Sequence, residues 1–398
     1  MEHNNEGKWY IQQGLCSTSV LIISGTIMQT FLLESGIQSH LVSTYVSAML
    51  IVQVAVMILS SKKIEKVRNI LRVTALVQFF QVALLGTFFL LCFVHDIQPE
   101  VKYIAVFVIG IIVNAALGIY NVISYKLPYH IIDMHRYGHV LGVSGILSGI
   151  VGIVFSVVIT AFLEKYEYFS VMKIFLPISF MFPITSGICT LLFKEKQYIE
   201  ERNDDSKSIN LFTYKPFLQL FVPNLFRGFT CGIFNIMATV GYHCNLLNSV
   251  TAGYLLVITN ASMIMSCFCY SIIAKKHIEK WIILFSSICI AILMPIMFAG
   301  KSAYVFLTVY GIGYFVVNLV NYSVPIAVVE IVDYDVIGQY SAWRMMLNTL
   351  GTAIAGFVCI PMIDIMGVMA TFIIAGLMQF ASGISYFLCM KSCEVRKR

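Results

Sequence analysis

Charge is what this sequence has least of. Only 12% of its 398 residues are Asp, Glu, Lys or Arg, about half the share found in a soluble domain. Room for a soluble domain is equally scarce: twelve membrane spans of about 20 residues use roughly 250 positions, and the remainder serves termini and loops. A Rossmann or barrel enzyme is excluded. Catalytic signatures are missing too, with no His-Glu-x-x-His pattern, no Gly-x-Ser-x-Gly and no phosphate-binding loop, so an enzyme, including an intramembrane metalloprotease, is not expected. His135 and His139 lie four apart near Asp133; a solvated loop is the better reading of them than a closed coordination set, and no metal site is expected. The start, Met1 to Lys8, lacks a basic region and no small-residue cleavage site follows it, so the first helix is expected to stay in place.

What the sequence has in abundance is apolar surface. Hydrophobic residues make up 59% and the mean hydropathy is +0.85, which implies an all-α integral membrane protein. Spans are expected near 10–33, 40–60, 70–94, 101–124, 139–163 and 169–193, then near 216–240, 248–273, 281–299, 302–325, 340–363 and 367–390. The polar stretch 194–215 divides them six and six. The expected domains are thus an N-terminal bundle over 1–193, a cytoplasmic linker over 194–215, and a C-terminal bundle with a short tail over 216–398. Nearly all of the eleven cysteines lie inside apolar runs, where thiols pack as small hydrophobes and imply neither disulfides nor zinc.

The net charge of +6 does not point to nucleic acid, because the basic residues sit in short clusters between apolar runs. They report topology instead. With a cytoplasmic N-terminus, nineteen Lys and Arg fall in inner segments, against Lys102, Lys165, Lys173 and Lys301 outside. Both termini are therefore expected in the cytoplasm, and the cell (plasma or inner) membrane is the simplest location.

An internal repeat organises the chain. Asn121, Tyr125, Pro128, Asp133, Tyr137 and Ser144 recur, each 197 positions later, as Asn318, Tyr322, Pro325, Glu330, Tyr334 and Ser341. Lys62-Lys63-Ile64-Glu65-Lys66 after span 2 is echoed by Lys275 to Lys280 after span 8, with one residue inserted. Two six-helix halves with matching loops imply two bundles related by an axis along the membrane normal, with a site near the midplane.

Over nearly its whole length the chain resembles the major facilitator superfamily. The stretches Leu127-Pro128-Tyr129 through Asp133, and Glu330 through Gly338, resemble loops of the glycoside/pentoside/hexuronide:cation symporters. That resemblance implies uptake of a sugar or sugar acid coupled to a cation held by an acidic pair on spans 2 and 4. Residues 40–60 and 104–124 contain no Asp or Glu. The usual Gly-Asp-Gly loop after span 2 is reduced to its basic character, and span 5 lacks the proline of drug/proton antiporters.

Ionisable groups inside the bilayer are functional candidates by default. Arg227 lies twelve residues beyond Lys215, about 18 Å along a helix and past the middle of a hydrocarbon core about 30 Å thick. Solute binding is its expected role, with structural pairing to helix carbonyls as the alternative. Arg344 is a second candidate, balanced against an interfacial anchor, and its repeat counterpart is Leu147. A guanidinium grips a carboxylate through two parallel hydrogen bonds, so a hexuronate or another organic acid fits, as does a neutral sugar. Gln12, Gln13, Gln29, Asn114, Tyr120, Asn121, Asn224, Asn235, Asn260, Tyr310, Tyr314, Asn318, Trp343 and Asn348 are candidate cavity groups; for any one amide, interhelical hydrogen bonding is the better wager. Gln13, Asn121, Asn224, Asn318, Tyr314 and Trp343 are expected to bind solute beside Arg227 and Arg344. Asp133, Glu330 and Asp333 are expected to act as a cytoplasmic gate, against the alternative of a solvated loop.

The expected function is secondary active transport of a small hydrophilic solute, a sugar, glycoside or hexuronate, by alternating access. No cofactor is expected beyond a coupling proton or sodium ion, and the partners are the solute and the lipid bilayer, with a monomer as the working unit. An exporter of amphipathic compounds, whose Phe and Met residues form an adaptable pocket, is the first alternative. A non-transporting membrane sensor is the second.

Overall fold

In hydrocarbon every backbone N–H and C=O must be satisfied within the chain, so long apolar runs become helices. The computed structural model describes all residues except 1, 65–68, 94–96, 125–126, 128–130, 133–136, 195–213, 274–277, 301, 333–336 and 398. Among the described residues the regular structure is entirely helical, in fourteen α-helices. They are α1 (Glu2–Ser24), α2 (Thr26–Glu34), α3 (Ser39–Ile64), α4 (Ile70–Leu91), α5 (Pro99–Ser124), α6 (Tyr137–Leu163) and α7 (Tyr168–Leu191), then α8 (Lys215–Asn235), α9 (Met237–His243), α10 (Ser249–Ile273), α11 (Glu279–Ala299), α12 (Ala303–Ile331), α13 (Ile337–Met366) and α14 (Val368–Lys397). Eleven of these are long and apolar enough to cross a membrane. The remaining expected span, 10–33, falls on α1 and α2, which are separated at Gly25.

The first span of each half is interrupted near its C-terminal end, span 1 at Gly25 and span 7 at Ile236. A break frees backbone donors, and here a side chain takes one of them. Gln29 of α2, wholly buried, accepts through Oε1 from the backbone N–H of Thr239 at 3.3 Å and from its hydroxyl at 2.9 Å. The Tyr242 hydroxyl of α9 donates to the Glu34 carboxylate at 2.9 Å. A seven-residue helix makes little stability of its own; α9 is held by these contacts and by packing on α2 and α3.

The described chain separates into two compact units. The first comprises Met1–Tyr198 with Ile236–Ile264. In it α1 packs on α6 and α7, α4 on α5 and α7, and α3 on α5. The second comprises Ile199–Asn235 with Met265–Arg398, where α8 packs on α13 and α14, and α11 on α12 and α14. Four pairings thus recur: first span with fifth, first with sixth, third with fourth and third with sixth. The buried faces recur as well. Ile123, Leu127 and Ile131 are at most 1% exposed, and Val320, Val324 and Val328, 197 positions on, are at most 2% exposed.

Small residues set the closest approaches. Gly149 and Gly152 of α6 abut Ile264 and Asn260 of α10, Gly351 of α13 abuts the α8 backbone, and at Gly232 of α8 a Cβ would stand 2.6 Å from the Thr352 carbonyl of α13. Such contacts let helices without a hydrophobic driving force pack by van der Waals attraction. Gly232→Ala should therefore lower the thermal midpoint of the purified protein, at a cost of about 1 to 3 kcal/mol. Gly86→Ala, whose Cβ meets nothing within 4 Å, should leave the midpoint unchanged or slightly raised. Equal midpoints for the two variants would refute the assignment of a tight contact to α8 and α13.

Candidate functional site

Arg227 stands on α8 with 5% of its surface exposed. Its Nη2 donates to Asn321 Oδ1 on α12 at 2.6 Å, while Nε and Nη1 have no acceptor among the described residues. A narrow crevice, too tight for a water molecule, lies beside it, with polar walls from Thr230, Cys231, Asn321 and Gln379 and the rest aliphatic. Asn321 is not among the sequence candidates. Its signal is there nonetheless: Tyr314, Asn318 and Asn321 follow the i, i+4, i+7 spacing that places side chains on one helix face.

The other residues of the second unit sort into two groups. Tyr314 stacks on Tyr310 at 5.6 Å between ring centroids and lies 6.2 Å from Phe234. Asn318 is 8% exposed, and among the described residues its Nδ2 has no acceptor. Asn224, by contrast, is committed to packing: Nδ2 donates to the Leu220 carbonyl at 2.6 Å and Oδ1 accepts from the Tyr386 hydroxyl at 2.7 Å. Arg344 is 8% exposed on α13, whereas Leu147, its repeat counterpart, is exposed. Both arginines lie within electrostatic reach of Tyr386. Trp343 packs edge-on to Phe217 at 6.3 Å.

In the first unit Gln13 donates to Gln12 Oε1 at 2.9 Å. Asn121 donates to Gln53 Oε1 at 3.4 Å, and Gln53 in turn to Asn114 Oδ1 at 2.7 Å. Spans 2 and 4 are therefore joined by neutral amides, where the symporter resemblance implied carboxylates. A second network, unremarked in the sequence, surrounds Cys16: its Sγ lies 3.6 Å from the Tyr120 hydroxyl, and Ser19 donates to Gln81 at 2.5 Å. Of the gate residues, Asp133 and Asp333 lie outside the described residues, as does the side chain of Glu330. Among the described residues no cluster of His, Cys, Asp and Glu could hold a metal.

Solved structures of similar fold are transporters. A D-xylose–proton symporter superposes with a TM-score of 0.73 at 12% identity, covering 97% of each chain. A mutant form of the nucleoside transporter NupG gives 0.70 at 14% identity over 98% of this chain and 99% of that one. The inward-open xylose transporter XylE from E. coli gives 0.67 at 13% identity, over 97% and 95%. At such identities the likeness is one of fold. No curated protein matches the chain. The family model of the Major Facilitator Superfamily matches residues 10–356. The chain is a multi-pass membrane transporter and belongs to the Major Facilitator Superfamily.

Proposed function

We propose that the protein is a secondary active transporter of a small hydrophilic solute, a sugar, glycoside or hexuronate, working by alternating access of its two six-helix halves. The domains in this reading are 1–193 and 216–398 joined by 194–215, with both termini cytoplasmic in the cell membrane and a monomer as the working unit. The observation that carries the solute class is Arg227, a guanidinium buried in a membrane transporter with one amide oxygen as its partner. A solute that brings hydroxyls and a carboxylate completes it. Asn318, Tyr314 and Trp343 in the second half, with Arg344, and Gln13 and Asn121 in the first, are the further solute contacts; Asp133, Glu330 and Asp333 form the cytoplasmic gate.

Coupling is assigned to a proton in preference to sodium. The xylose–proton symporter neighbour supports this.

The test is uptake into liposomes of labelled glucuronate and xylose, with and without an inward proton gradient, and with lipophilic cations as competitors. Glucuronate or xylose uptake driven by the gradient is expected. Uptake of neither, with extrusion of lipophilic cations, would move the protein to the exporter reading. Arg227→Ala should lower glucuronate uptake by roughly ten- to a hundredfold, the worth of a charged hydrogen-bonded contact, while membrane insertion is kept. Normal uptake by this variant would remove Arg227 from the site.

Asn224 is the solute candidate most engaged in packing, and a double-mutant cycle separates its roles. Asn224→Ala and Tyr386→Phe should each destabilise the protein by about 1 to 3 kcal/mol and couple by more than about 0.5 kcal/mol. Additive effects, together with an uptake defect confined to Asn224→Ala, would restore Asn224 to the solute site.

A further inference from the structure

Arg227 is a buried cation in the second unit with no counter-charge among the described residues. Arg227 spends one guanidinium nitrogen on Asn321, and among the described residues the N–H groups of Nε and Nη1 meet no acceptor. An orphaned amide can often be paired by exchanging its oxygen and nitrogen. A guanidinium cannot, since it only donates and does not lose its charge.

The crevice beside it supplies no negative charge either. Its polar walls are two amides, a hydroxyl and a thiol. The Thr230 proton is directed at the carbonyls of Phe226 and Ala375, at 3.2 and 3.4 Å. Gln379 donates to Ser287 at 3.1 Å. An unpaired charge removed from water costs several kcal/mol, and that cost is relieved when an anion enters. Size narrows the class. The crevice is too narrow for a water molecule as it stands, so an anion enters only as its walls part, and a group of a few heavy atoms asks the least of that movement.

We infer that the Arg227 crevice is a binding site for a small anion, gripped by the Nε and Nη1 N–H groups of Arg227 while Asn321 fixes the plane of the guanidinium. The inference deepens the reading of Arg227 as a solute contact and rests on it only if the anion is the solute's own carboxylate. A free halide or carboxylate has the same chemistry.

The experiment is thermal unfolding of the purified full chain in a bulky sulfonate buffer, with chloride, formate, phosphate, glucuronate or glucose added at constant ionic strength. Ligands that bind the native state alone raise its midpoint. A saturable rise of roughly 2 to 4 °C is expected with at least one small anion or with glucuronate, none with glucose, and none in Arg227→Gln. Asn321→Asp is the decisive second variant, because it places a carboxylate within 2.6 Å of the guanidinium. It should fold, match or exceed the wild-type midpoint without added anion, and have lost the anion response. Formate and chloride acting as well as glucuronate would assign the site to a free anion, and glucuronate acting alone would assign it to the solute; either outcome supports the site. No response in the wild type, or an equal response in Arg227→Gln and Asn321→Asp, would overturn it. Liposome uptake reads the transport proposal separately, so anion binding without sugar uptake would sink that proposal and leave this one standing.

Discussion

Exclusion of water from the bilayer core is the constraint on which everything else in this structure depends. Each polar group inside it must find a partner in the chain, and most do so as locally as possible. Ser47, Thr160 and Ser179 donate to the carbonyls of Ser43, Ser156 and Phe175, one turn back on their own helices, which lets a hydroxyl sit in an apolar span at small cost. Amides reach further. Gln53 and Asn114 join α3 to α5, and Asn224 and Tyr386 join α8 to α14. Gln29 shows the rule at its most demanding, since one buried side-chain oxygen accepts both the backbone N–H and the hydroxyl of Thr239 where span 7 is broken.

The fold was legible in the sequence because hydropathy and repetition are both written in single residues. Apolar runs marked the spans, and the repeat at an offset of 197 paired the two halves, in which equivalent positions such as Ile123 and Val320 are both buried. The breaks at Gly25 and Ile236 were not legible. An apolar run continues through each of them, and hydropathy does not register the hydrogen bond that makes a break tolerable. For the same reason Gln29 and Asn224 read from sequence as cavity groups, while in the structure their side chains make hydrogen bonds between helices. A polar residue in a span announces that it needs a partner without saying which one.

Charge is the exception, and it was the most legible part of the candidate site. An amide in a span has many ways to be satisfied, whereas an arginine has few. Depth along α8 was enough to single out Arg227, and the structure adds the partner, Asn321, together with the orphaned donors. The gate acids could not be carried as far, because their side chains lie outside the described residues.

The two halves, compared at equivalent places, explain why the charge belongs to one of them. If the breaks at Gly25 and Ile236 are taken as equivalent, Cys16 in span 1 corresponds to Arg227 in span 7. Around Cys16 the first unit is filled by neutral groups: Tyr120 from its fourth span, Gln78 and Gln81 from its third and Ser186 from its sixth. Around Arg227 the second unit has Val317 and Val320 on its fourth span, Ile290 on its third and Gln379 on its sixth. Where the first half closes the space with the Tyr120 ring and a net of neutral hydrogen bonds, the second has a smaller Val317, a crevice and a cation. Neutral groups in the first half satisfy one another, whereas a guanidinium with unpaired donors destabilises the second bundle unless an acceptor meets it. An anion beside Arg227 supplies the missing charge.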